Sequence, residues 1–362
     1  MVRTLGPGGT ERQAVEIAKA LNRARFAPHV ACFEAGGFGA QQLRRNHIPM
    51  LELPLHSLLS PSYLTSARLL RAYLREHSIR LVHSFDFPTA IFGVPLCRLE
   101  GGLRVLASQR GHRETFPPKY RKLLKIADLL AHGYVANCEA MRRHLIEDCG
   151  IPERKVRVCY NGVNLACFAP STFESSGNSV IGTVGLLRPE KGIEILLDAA
   201  AAIRKRHSAV RLRIVGAGPL LSSLRERSRR LFGTTNTCTF EPATDHVAAC
   251  LHQLDIFVLP SRSEAFPNSL MEAMACGCAV VASRTGGIPE LVQDGTTGLL
   301  FTPGDVSDLA AKLELLLEDH ATRRRLAEAG QTAVRSRFSI EASAQCMEQI
   351  YEEFLTLPVP LQ

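Results

Sequence analysis

Apolar and polar positions along the chain alternate between two kinds of segment. Short runs of β-branched and other apolar residues predict strands, and longer stretches with apolar residues at helical spacing, as in residues 11–21, 193–203 and 339–355, predict helices between them. This alternation is typical of parallel sheets covered by helices on both faces. It predicts an α/β fold made of two doubly wound, Rossmann-like domains. The predicted strands cover residues 28–33, 81–84, 104–108, 133–137, 180–184, 211–215, 238–240, 256–260 and 279–283.

The boundary between the two domains is predicted within residues 161–178, where periodicity is weak and Asn, Gly, Pro and Ser are frequent. We place an N-terminal domain at residues 1–165 and a C-terminal domain at 166–338. The remaining residues, 339–362, hold a helix that either finishes the second domain or packs back on the first. Only five residues precede the glycine loop at Gly6, so the first strand is either very short or truncated in this sequence.

Composition agrees with a folded protein, because 46% of the 362 residues are hydrophobic and 22% are charged. The longest apolar stretch, residues 273–282, is half of the ~20 residues that a membrane span needs. The N-terminus lacks the apolar core of a secretory signal. Eleven scattered cysteines without a Cys-x-x-Cys motif predict reduced thiols, with no metal site or disulfide framework. We expect a cytoplasmic protein.

A formal net charge of +8 favours anionic ligands or surfaces. The basic residues are concentrated between Arg104 and Lys125, which span seven Lys or Arg residues and one Glu. Residues 120–130 add apolar positions at helical spacing, so this segment predicts a basic amphipathic helix. Such a helix can lie on the anionic inner face of a membrane or face an anionic substrate. A solvated helix over an ordinary core explains the pattern equally well. The apolar positions are Leu123, Leu124, Ala127 and Leu130.

A glycine turn leads into the first predicted helix. Residues 6–9 contain three glycines, and Thr10 with Gln13 fits a Thr-x-x-Gln capping box. The N-terminus of a helix exposes backbone amides that bind phosphate, so Gly8 and Gly9 are candidates for a phosphate contact. A plain turn explains the glycines about as well.

Two cations follow the predicted strand at residues 180–184. Arg188 and Lys191 lie on a loop directly ahead of the helix that begins near residue 193. An arginine fork and a lysine point charge beside a helix end suit a diphosphate. Alternatively, both residues are solvated surface charges without a role in ligand binding.

Two glutamates follow the predicted strand at residues 256–260. Glu264 falls on the loop after the strand, at the sheet edge where doubly wound folds bind ligands, and Glu272 falls in the first turn of the next helix. Ser269 and Glu272 also fit a capping box, which would give Glu272 a structural role. The predicted strand at residues 279–283 is followed by a turn that contains Gly286 and Gly287. These glycines allow a close approach of the backbone to a ligand.

These four groups of residues, in this order and spacing, resemble the family-4 retaining glycosyltransferases. The signature of that family is a Glu-x7-Glu pair, here Glu264 and Glu272 within Glu-Ala-Phe-Pro-Asn-Ser-Leu-Met-Glu-Ala-Met-Ala-Cys-Gly. The resemblance covers nearly the whole chain. It implies two Rossmann-like domains facing each other across a cleft, the GT-B fold, and transfer of a sugar from a nucleotide-diphosphate sugar with retained anomeric configuration. The expected acceptor is a carbohydrate or a lipid-linked molecule, as in polysaccharide or glycolipid biosynthesis.

The resemblance also implies roles for individual residues. Arg188 and Lys191 would hold the donor diphosphate, Glu272 the ribose and Glu264 the transferred sugar. No metal ion is implied, because cations and helix amides neutralise the departing diphosphate. The resemblance also implies no protein nucleophile, because the acceptor in this family attacks from the face that the leaving group quits, with a phosphate oxygen helping to take its proton. Backbone contacts to the donor would come from Phe266, Pro267, Asn268 and Ser269 in the C-terminal domain, and from Gly8 and Gly9 in the N-terminal domain.

One position departs from the family pattern. Many relatives carry a histidine after the strand that corresponds to residues 104–108, and Arg110 stands there in this chain. A cation at this point would steady the donor or a phosphate-bearing acceptor. A shift of two residues would instead bring His112 to the position, with a general-base role.

Other functions fit parts of the same pattern. A nucleotide-sugar epimerase could use the same fold, and so could a binding module that holds a nucleotide sugar without turnover. A dinucleotide oxidoreductase is disfavoured, because the glycines at residues 6–9 do not form Gly-x-Gly-x-x-Gly after a full strand. No nucleic acid partner is expected.

Overall fold

A computed structural model describes residues 1–6, 8–58, 60–170, 179–234 and 236–356. The chain divides into two compact units. Unit 1 consists of Met1–Gly162 together with the segment that starts at Ile340, and unit 2 consists of Val163–Ser339. The predicted division at residue 165 lies three residues after the observed one. Part of the predicted boundary segment, residues 171–178, lies outside the described residues.

Unit 1 contains parallel strands in the orders β1-β2-β3 and β4-β5-β6-β7. The first strand is three residues long, and Met1 ahead of it connects to β4: its amine donates to the carbonyl of His83 at 2.6 Å and its carbonyl accepts from the amide of Phe85 at 2.9 Å. The elements are β1 (Val2–Thr4), α1 (Gly9–Ala20), β2 (Val30–Glu34), α2 (Phe38–Arg45), β3 (Met50–Glu52), α3 (Ser62–Glu76), β4 (Leu81–Ser84), α4 (Phe87–Leu99), β5 (Arg104–Gln109), α5 (Pro118–Leu130), β6 (Gly133–Ala136), α6 (Glu139–Arg143) and β7 (Val156–Val158).

The last helix of the chain belongs to unit 1. This helix, α14 (Ile340–Thr356), buries Met347, Ile350 and Phe354 in the same apolar cluster as Val15 and Ile17 of α1. Of the two alternatives for this helix, the structure therefore shows packing on the first domain.

Unit 2 forms one parallel sheet in the order β10-β9-β8-β11-β12-β13. In this order the direction of strand progression reverses between β8 and β11, and doubly wound sheets bind ligands at the carboxyl ends of the strands at such a reversal. The elements are β8 (Val180–Val184), α7 (Ile193–Ile203), β9 (Arg211–Val215), α8 (Leu221–Phe232), β10 (Cys238–Glu241), α9 (Val247–Leu251), β11 (Ile256–Leu259), α10 (Asn268–Ala275), β12 (Ala279–Ser283), α11 (Ile288–Leu291), β13 (Leu299–Phe301), α12 (Val306–Glu318) and α13 (His320–Arg337).

The predicted α/β fold class with parallel sheets is confirmed. In the described part of the chain, no helix is both long enough and apolar enough to cross a lipid bilayer.

Candidate active site

The candidate site in unit 2 lies where β8 and β11 end, at the reversal of the sheet. Arg188 and Lys191 occupy the loop after β8, and Glu264 occupies the loop after β11. A single 3-10 turn, Pro189–Lys191, ends at Gly192 with φ of 59°. A Cβ at Gly192 would lie 2.3 Å from the carbonyl oxygen of Pro260, so only glycine lets the two loops pack this closely.

An ion pair connects the two loops, in addition to the hydrogen bond from the Arg262 amide to the Glu190 carbonyl at 2.8 Å. The Nζ atom of Lys191 donates to Oε1 of Glu264, and the same oxygen accepts from the Ser261 hydroxyl at 2.8 Å. The Lys191 side chain is 25% exposed and that of Glu264 only 10%. A half-buried lysine beside a nearly buried carboxylate is more strongly coupled than a solvated surface pair. The structure thus brings two of the predicted site residues into contact across the reversal of the sheet.

The loop after β12 supports the Glu264 loop from the other side. Gly286 has φ of 53°, and a Cβ there would lie 1.7 Å from the carbonyl oxygen of Glu264. The next amide, that of Gly287, donates to the carbonyl of Ala265 at 2.8 Å. The glycine pair therefore holds the backbone that carries Glu264, rather than only leaving space for a ligand.

The helix after Glu264 begins earlier than the sequence predicts. Pro267 precedes α10 as its N-cap and Ser269 already lies inside the helix, so the predicted Ser269–Glu272 capping box is wrong. Glu272 lies in the second turn instead of the first and is 4% exposed. The reason is that Pro267 closes the loop in an extended conformation and Asn268 starts the helix. Proline offers no side-chain acceptor, so the N-cap residue makes no side-chain hydrogen bond to the first turn of the helix.

Other predicted residues of this loop have different surroundings. Phe266 is buried, and its ring lies 5.3 Å from that of Phe338. Arg188 is 54% exposed and lies 3.9 Å from a Glu190 oxygen. The Arg188 carbonyl accepts from the Lys191 amide at 3.0 Å, but in the described part of the chain the Arg188 side chain makes no hydrogen bond or ion pair with Lys191 or Glu264. Of the four residues whose side chains the resemblance assigns to the donor, Lys191 and Glu264 are thus in side-chain contact, and Arg188 and Glu272 lie on adjacent segments.

The glycine turn of unit 1 differs from its prediction. Gly8 is the N-cap of α1 and the helix starts at Gly9, so Thr10 already lies inside it and the predicted Thr10–Gln13 capping box is wrong. Gln13 is buried and makes two hydrogen bonds with Gly162, donating to its carbonyl at 2.7 Å and accepting from its amide at 3.0 Å. The side chain therefore joins α1 to the end of unit 1.

Arg110 follows β5 and is held inside unit 1. It donates to the side-chain oxygen of Asn161 at 2.7 Å, and its guanidinium lies 4.8 Å from the ring centre of Phe85. Burial lowers the pKa of Arg110 to about 10. Its Nε atom is buried without a hydrogen-bond partner among the described residues. A half-buried guanidinium with unused donor capacity is suited to an anionic group.

One cluster has a composition that could ligate a metal ion. Among the residues the structure describes, ligand atoms of His112, Glu114 and His144 lie within 4.8 Å of one another. However, the Arg113 amide donates to Nε2 of His144 at 3.3 Å, which places the ring proton on Nδ1, 2.8 Å from Asp148. The nitrogen that faces the cluster is then a donor and is not available as a ligand. Burial also lowers the pKa of His112.

Sequence reasoning missed two parts of the unit 2 site. Ser261, which contacts Glu264, carries no local signal. Gly216 and Gly218 follow β9, and a Cβ on them would lie 1.9 Å from the carbonyl oxygen of Gly185 and 2.4 Å from that of Leu187. A Gly-Ala-Gly directly after a predicted strand was the available signal.

Two family models match the chain, one on each unit. The model described as Glycosyltransferase Family 4 matches residues 7–166, and the model described as Glycosyl transferases group 1 matches residues 169–333.

Curated relatives share about a third of the aligned positions. A putative colanic acid biosynthesis glycosyltransferase of Salmonella typhimurium is 30% identical over 63% of this chain and 57% of its own length. A D-inositol 3-phosphate glycosyltransferase of Corynebacterium jeikeium is 30% identical over 64% of this chain and 59% of its own length. A glycogen synthase of Mycobacterium tuberculosis is 32% identical over 54% and 48%. The chain thus spans less than two thirds of the length of these relatives.

Solved structures match over almost the whole chain. The Anabaena protein HepE, in complex with UDP and glucose, has a TM-score of 0.83 and 25% identity, covering 98% of this chain and 99% of HepE. A sucrose-phosphate synthase of Thermosynechococcus elongatus has a TM-score of 0.80 and 23% identity, covering 97% and 95%, which supports the GT-B fold alone. Since the two family models together match most of the sequence, this chain belongs to the family 4, group 1 glycosyltransferases.

Proposed function

We propose that this chain is a retaining glycosyltransferase that moves a hexose from a nucleotide-diphosphate sugar to a carbohydrate or lipid-linked acceptor without a metal ion. The observation that carries the proposal is the Lys191–Glu264 pair, because it joins the loops of β8 and β11 at the ligand-binding reversal of the sheet. Family membership supports sugar transfer as the reaction, and the contact between the two loops supports the roles that we propose for individual residues.

The donor diphosphate needs positive partners that strengthen as charge accumulates on the departing group. Lys191 supplies an ammonium group at the sheet edge, and Arg188 supplies a half-exposed guanidinium on the same loop. The first turn of α10 adds backbone amides and the positive end of the helix dipole. Together these groups provide the stabilisation that a bound cation provides in metal-dependent transferases.

Glu264 is suited to hold the transferred sugar. Its carboxylate has one oxygen engaged by Lys191 and Ser261, and it has further acceptor capacity for sugar hydroxyl groups. We assign Glu272 to the ribose, and assign backbone contacts to Phe266, Pro267, Asn268 and Ser269. In this proposal the acceptor attacks the face that the diphosphate leaves, and a phosphate oxygen takes the acceptor proton.

Relatives guide the choice of substrates for a first experiment. HepE, which binds UDP and glucose, supports UDP-hexoses as the first donors to try. Relatives named for colanic acid biosynthesis and for inositol 3-phosphate support carbohydrate and phosphate-bearing acceptors. In unit 1, we assign Arg110 to the donor or to a phosphate-bearing acceptor, and we assign Gly8 and Gly9 to backbone contacts with the donor.

The test of the proposed function is transfer in the presence of EDTA. The chain is incubated with UDP-hexoses, other nucleotide sugars and an acceptor panel, and the product is analysed by NMR. We expect turnover that EDTA does not reduce and a product with the anomeric configuration of the donor. Inverted product, or turnover restored only by a divalent cation, would contradict the mechanism. Conversion of the donor without an acceptor would indicate an epimerase, and binding without any turnover would indicate a binding module.

We further propose that α5 contacts an anionic membrane. The structure corrects the predicted apolar face of this helix: Leu124 and Ala127 are buried, whereas Leu123, Ile126 and Leu129 are 36%, 49% and 80% exposed. The exposed apolar side chains share the helix with exposed basic ones, a combination that binds anionic lipid surfaces. The exposed basic residues are Lys119, Arg121, Lys122 and Lys125.

Replacing both Ile126 and Leu129 with glutamate should abolish binding to vesicles. The substitutions put negative charges where apolar contact and lysine attraction are expected, so co-sedimentation with vesicles of phosphatidylglycerol and phosphatidylcholine should fall to background. Leu315 of α12, which is 43% exposed, offers a matched control: Leu315→Glu should leave binding unchanged. Equal vesicle binding by the double variant and the wild type would refute this contact.

A further inference from the structure

Two cysteines meet inside unit 1 although they lie near opposite ends of the chain. Cys159 directly follows β7, and Cys346 lies on α14. The Sγ atom of Cys159 donates to the carbonyl of Ser343 at 3.4 Å, and that of Cys346 donates to the carbonyl of Val158 at 3.5 Å. Each thiol therefore bonds to backbone close to the other cysteine, since Val158 precedes Cys159 and Ser343 lies three residues before Cys346 on the same helix. The sequence did not predict that these two cysteines lie close together.

The two thiols differ in exposure and in pKa, and these differences indicate which of them reacts first. Cys346 is partly exposed, whereas Cys159 is 1% exposed. Interaction with Cys159 lowers the pKa of Cys346 against the effect of burial, and interaction with Cys346, together with burial, raises the pKa of Cys159. By contrast, burial raises the pKa of Cys276 to about 12. Because the thiolate is the nucleophile, Cys346 is the thiol that reacts first.

We propose that Cys159 and Cys346 form a redox modification site that a low-molecular-weight disulfide, such as oxidised glutathione, converts into an intrachain disulfide. The Cys346 thiolate attacks one sulfur of the small disulfide, which forms a mixed disulfide and releases one thiolate. The released thiolate takes the proton of Cys159, whose sulfur then attacks the Cys346 sulfur and releases the second small thiolate. This thiolate takes up from solvent the proton that Cys346 lost, so two small thiols are formed. Two protein thiols are oxidised and one small disulfide is reduced.

The position of this bond gives it a structural consequence. Unit 2 is inserted between the two cysteines in the sequence, so the bond would close Val163–Ser339 into a covalent loop. It would also fix α14 to the end of β7, where the Ser343 hydroxyl already donates to the Tyr160 carbonyl at 2.8 Å. The next residue, Asn161, accepts from Arg110, so oxidation acts beside a predicted site residue.

The test uses the reduced full chain, incubated with oxidised glutathione and then alkylated. Mass spectrometry should show the loss of two hydrogen atoms and a cross-linked peptide pair that contains Cys159 and Cys346. Cys346→Ala should remove the cross-link. Cys159→Ala should instead trap glutathione on Cys346, because the second thiol is missing. After proteolysis within unit 2, the wild-type fragments should remain joined until a reductant is added.

A matched control is Cys167→Ala, since Cys167 is an exposed cysteine outside the pair and its loss should leave the cross-link intact. The proposal is overturned if the wild type gives only a stable glutathione adduct or no reaction at Cys346. It is also overturned if Cys346→Ala still loses two hydrogen atoms on oxidation, because a different pair of cysteines then forms the disulfide. None of these readouts depends on sugar transfer, so they are independent of the proposed enzymatic function.

Discussion

Replacing Lys191 with alanine should lower kcat/KM for sugar transfer by about 10²–10³-fold, the cost of removing one preorganised charge partner from a transition state. The ammonium group of Lys191 is the cation that the structure places in contact with Glu264 at the reversal of the unit 2 sheet. As the bond to the diphosphate breaks, negative charge grows on the leaving group and its interaction with this cation strengthens. The effect should therefore be larger on kcat than on donor affinity.

The measurement is steady-state sugar transfer with whichever nucleotide sugar proves active in the incubations proposed above, together with calorimetry of nucleotide diphosphate binding. Lys205→Ala is a matched control, because Lys205 is an exposed lysine of the same unit that lies after α7. Lys191→Arg should recover part of the activity, since the charge is kept but the geometry of the contact changes. Undiminished transfer by Lys191→Ala would show that the diphosphate lies elsewhere.

How far the sequence predicts the fold depends on the length and burial of each strand. The strands at residues 81–84, 180–184, 211–215 and 279–283 have the predicted bounds, because a serine or glycine marks the end of each aliphatic-rich segment. These residues are Ser84, Gly185, Gly216 and Ser283. In contrast, β3, β7 and β13 are three residues long and were not predicted. A segment of three residues is too short to show a period, and its pairing with a neighbouring strand decides its structure.

In the candidate site, the sequence likewise predicts which loops carry the residues but not the contacts between them. Local patterns predict that Lys191, Glu264 and Gly286 follow strands at the ligand-binding edge, because order along a doubly wound sheet determines which loops share that edge. Helix starts were less predictable, since Pro267 shifts the start of α10 and leaves Ser269 inside the helix. The close approach of Gly286 to the Glu264 carbonyl and the meeting of Cys159 with Cys346 depend on tertiary packing, which a single sequence does not encode locally.

Replacing Gly286 with alanine should reduce both stability and activity. Two effects contribute, namely backbone strain at a positive φ and a steric clash with the Glu264 loop. Gly286 has φ of 53°, so alanine there suffers backbone strain of about 1–2 kcal/mol. Its Cβ would also lie 1.7 Å from the Glu264 carbonyl oxygen, so the loop that carries Glu264 must move. We expect a loss of about 3 kcal/mol in the free energy of unfolding. A displacement of this loop by about 1 Å should lower kcat/KM about 10²-fold.

Gly295→Ala provides the comparison that isolates the steric clash. Gly295 has φ of 72°, and a Cβ there meets nothing within 4 Å, so alanine adds backbone strain in open space. Urea unfolding should show a loss of about 1–2 kcal/mol for Gly295→Ala, with little change in transfer activity. If Gly286→Ala matches Gly295→Ala in both stability and kcat/KM, the Gly286 contact does not position Glu264. If Gly286→Ala instead loses activity while its stability equals that of Gly295→Ala, the loop has moved at low energetic cost, and the contact sets the position of Glu264 rather than the stability of unit 2.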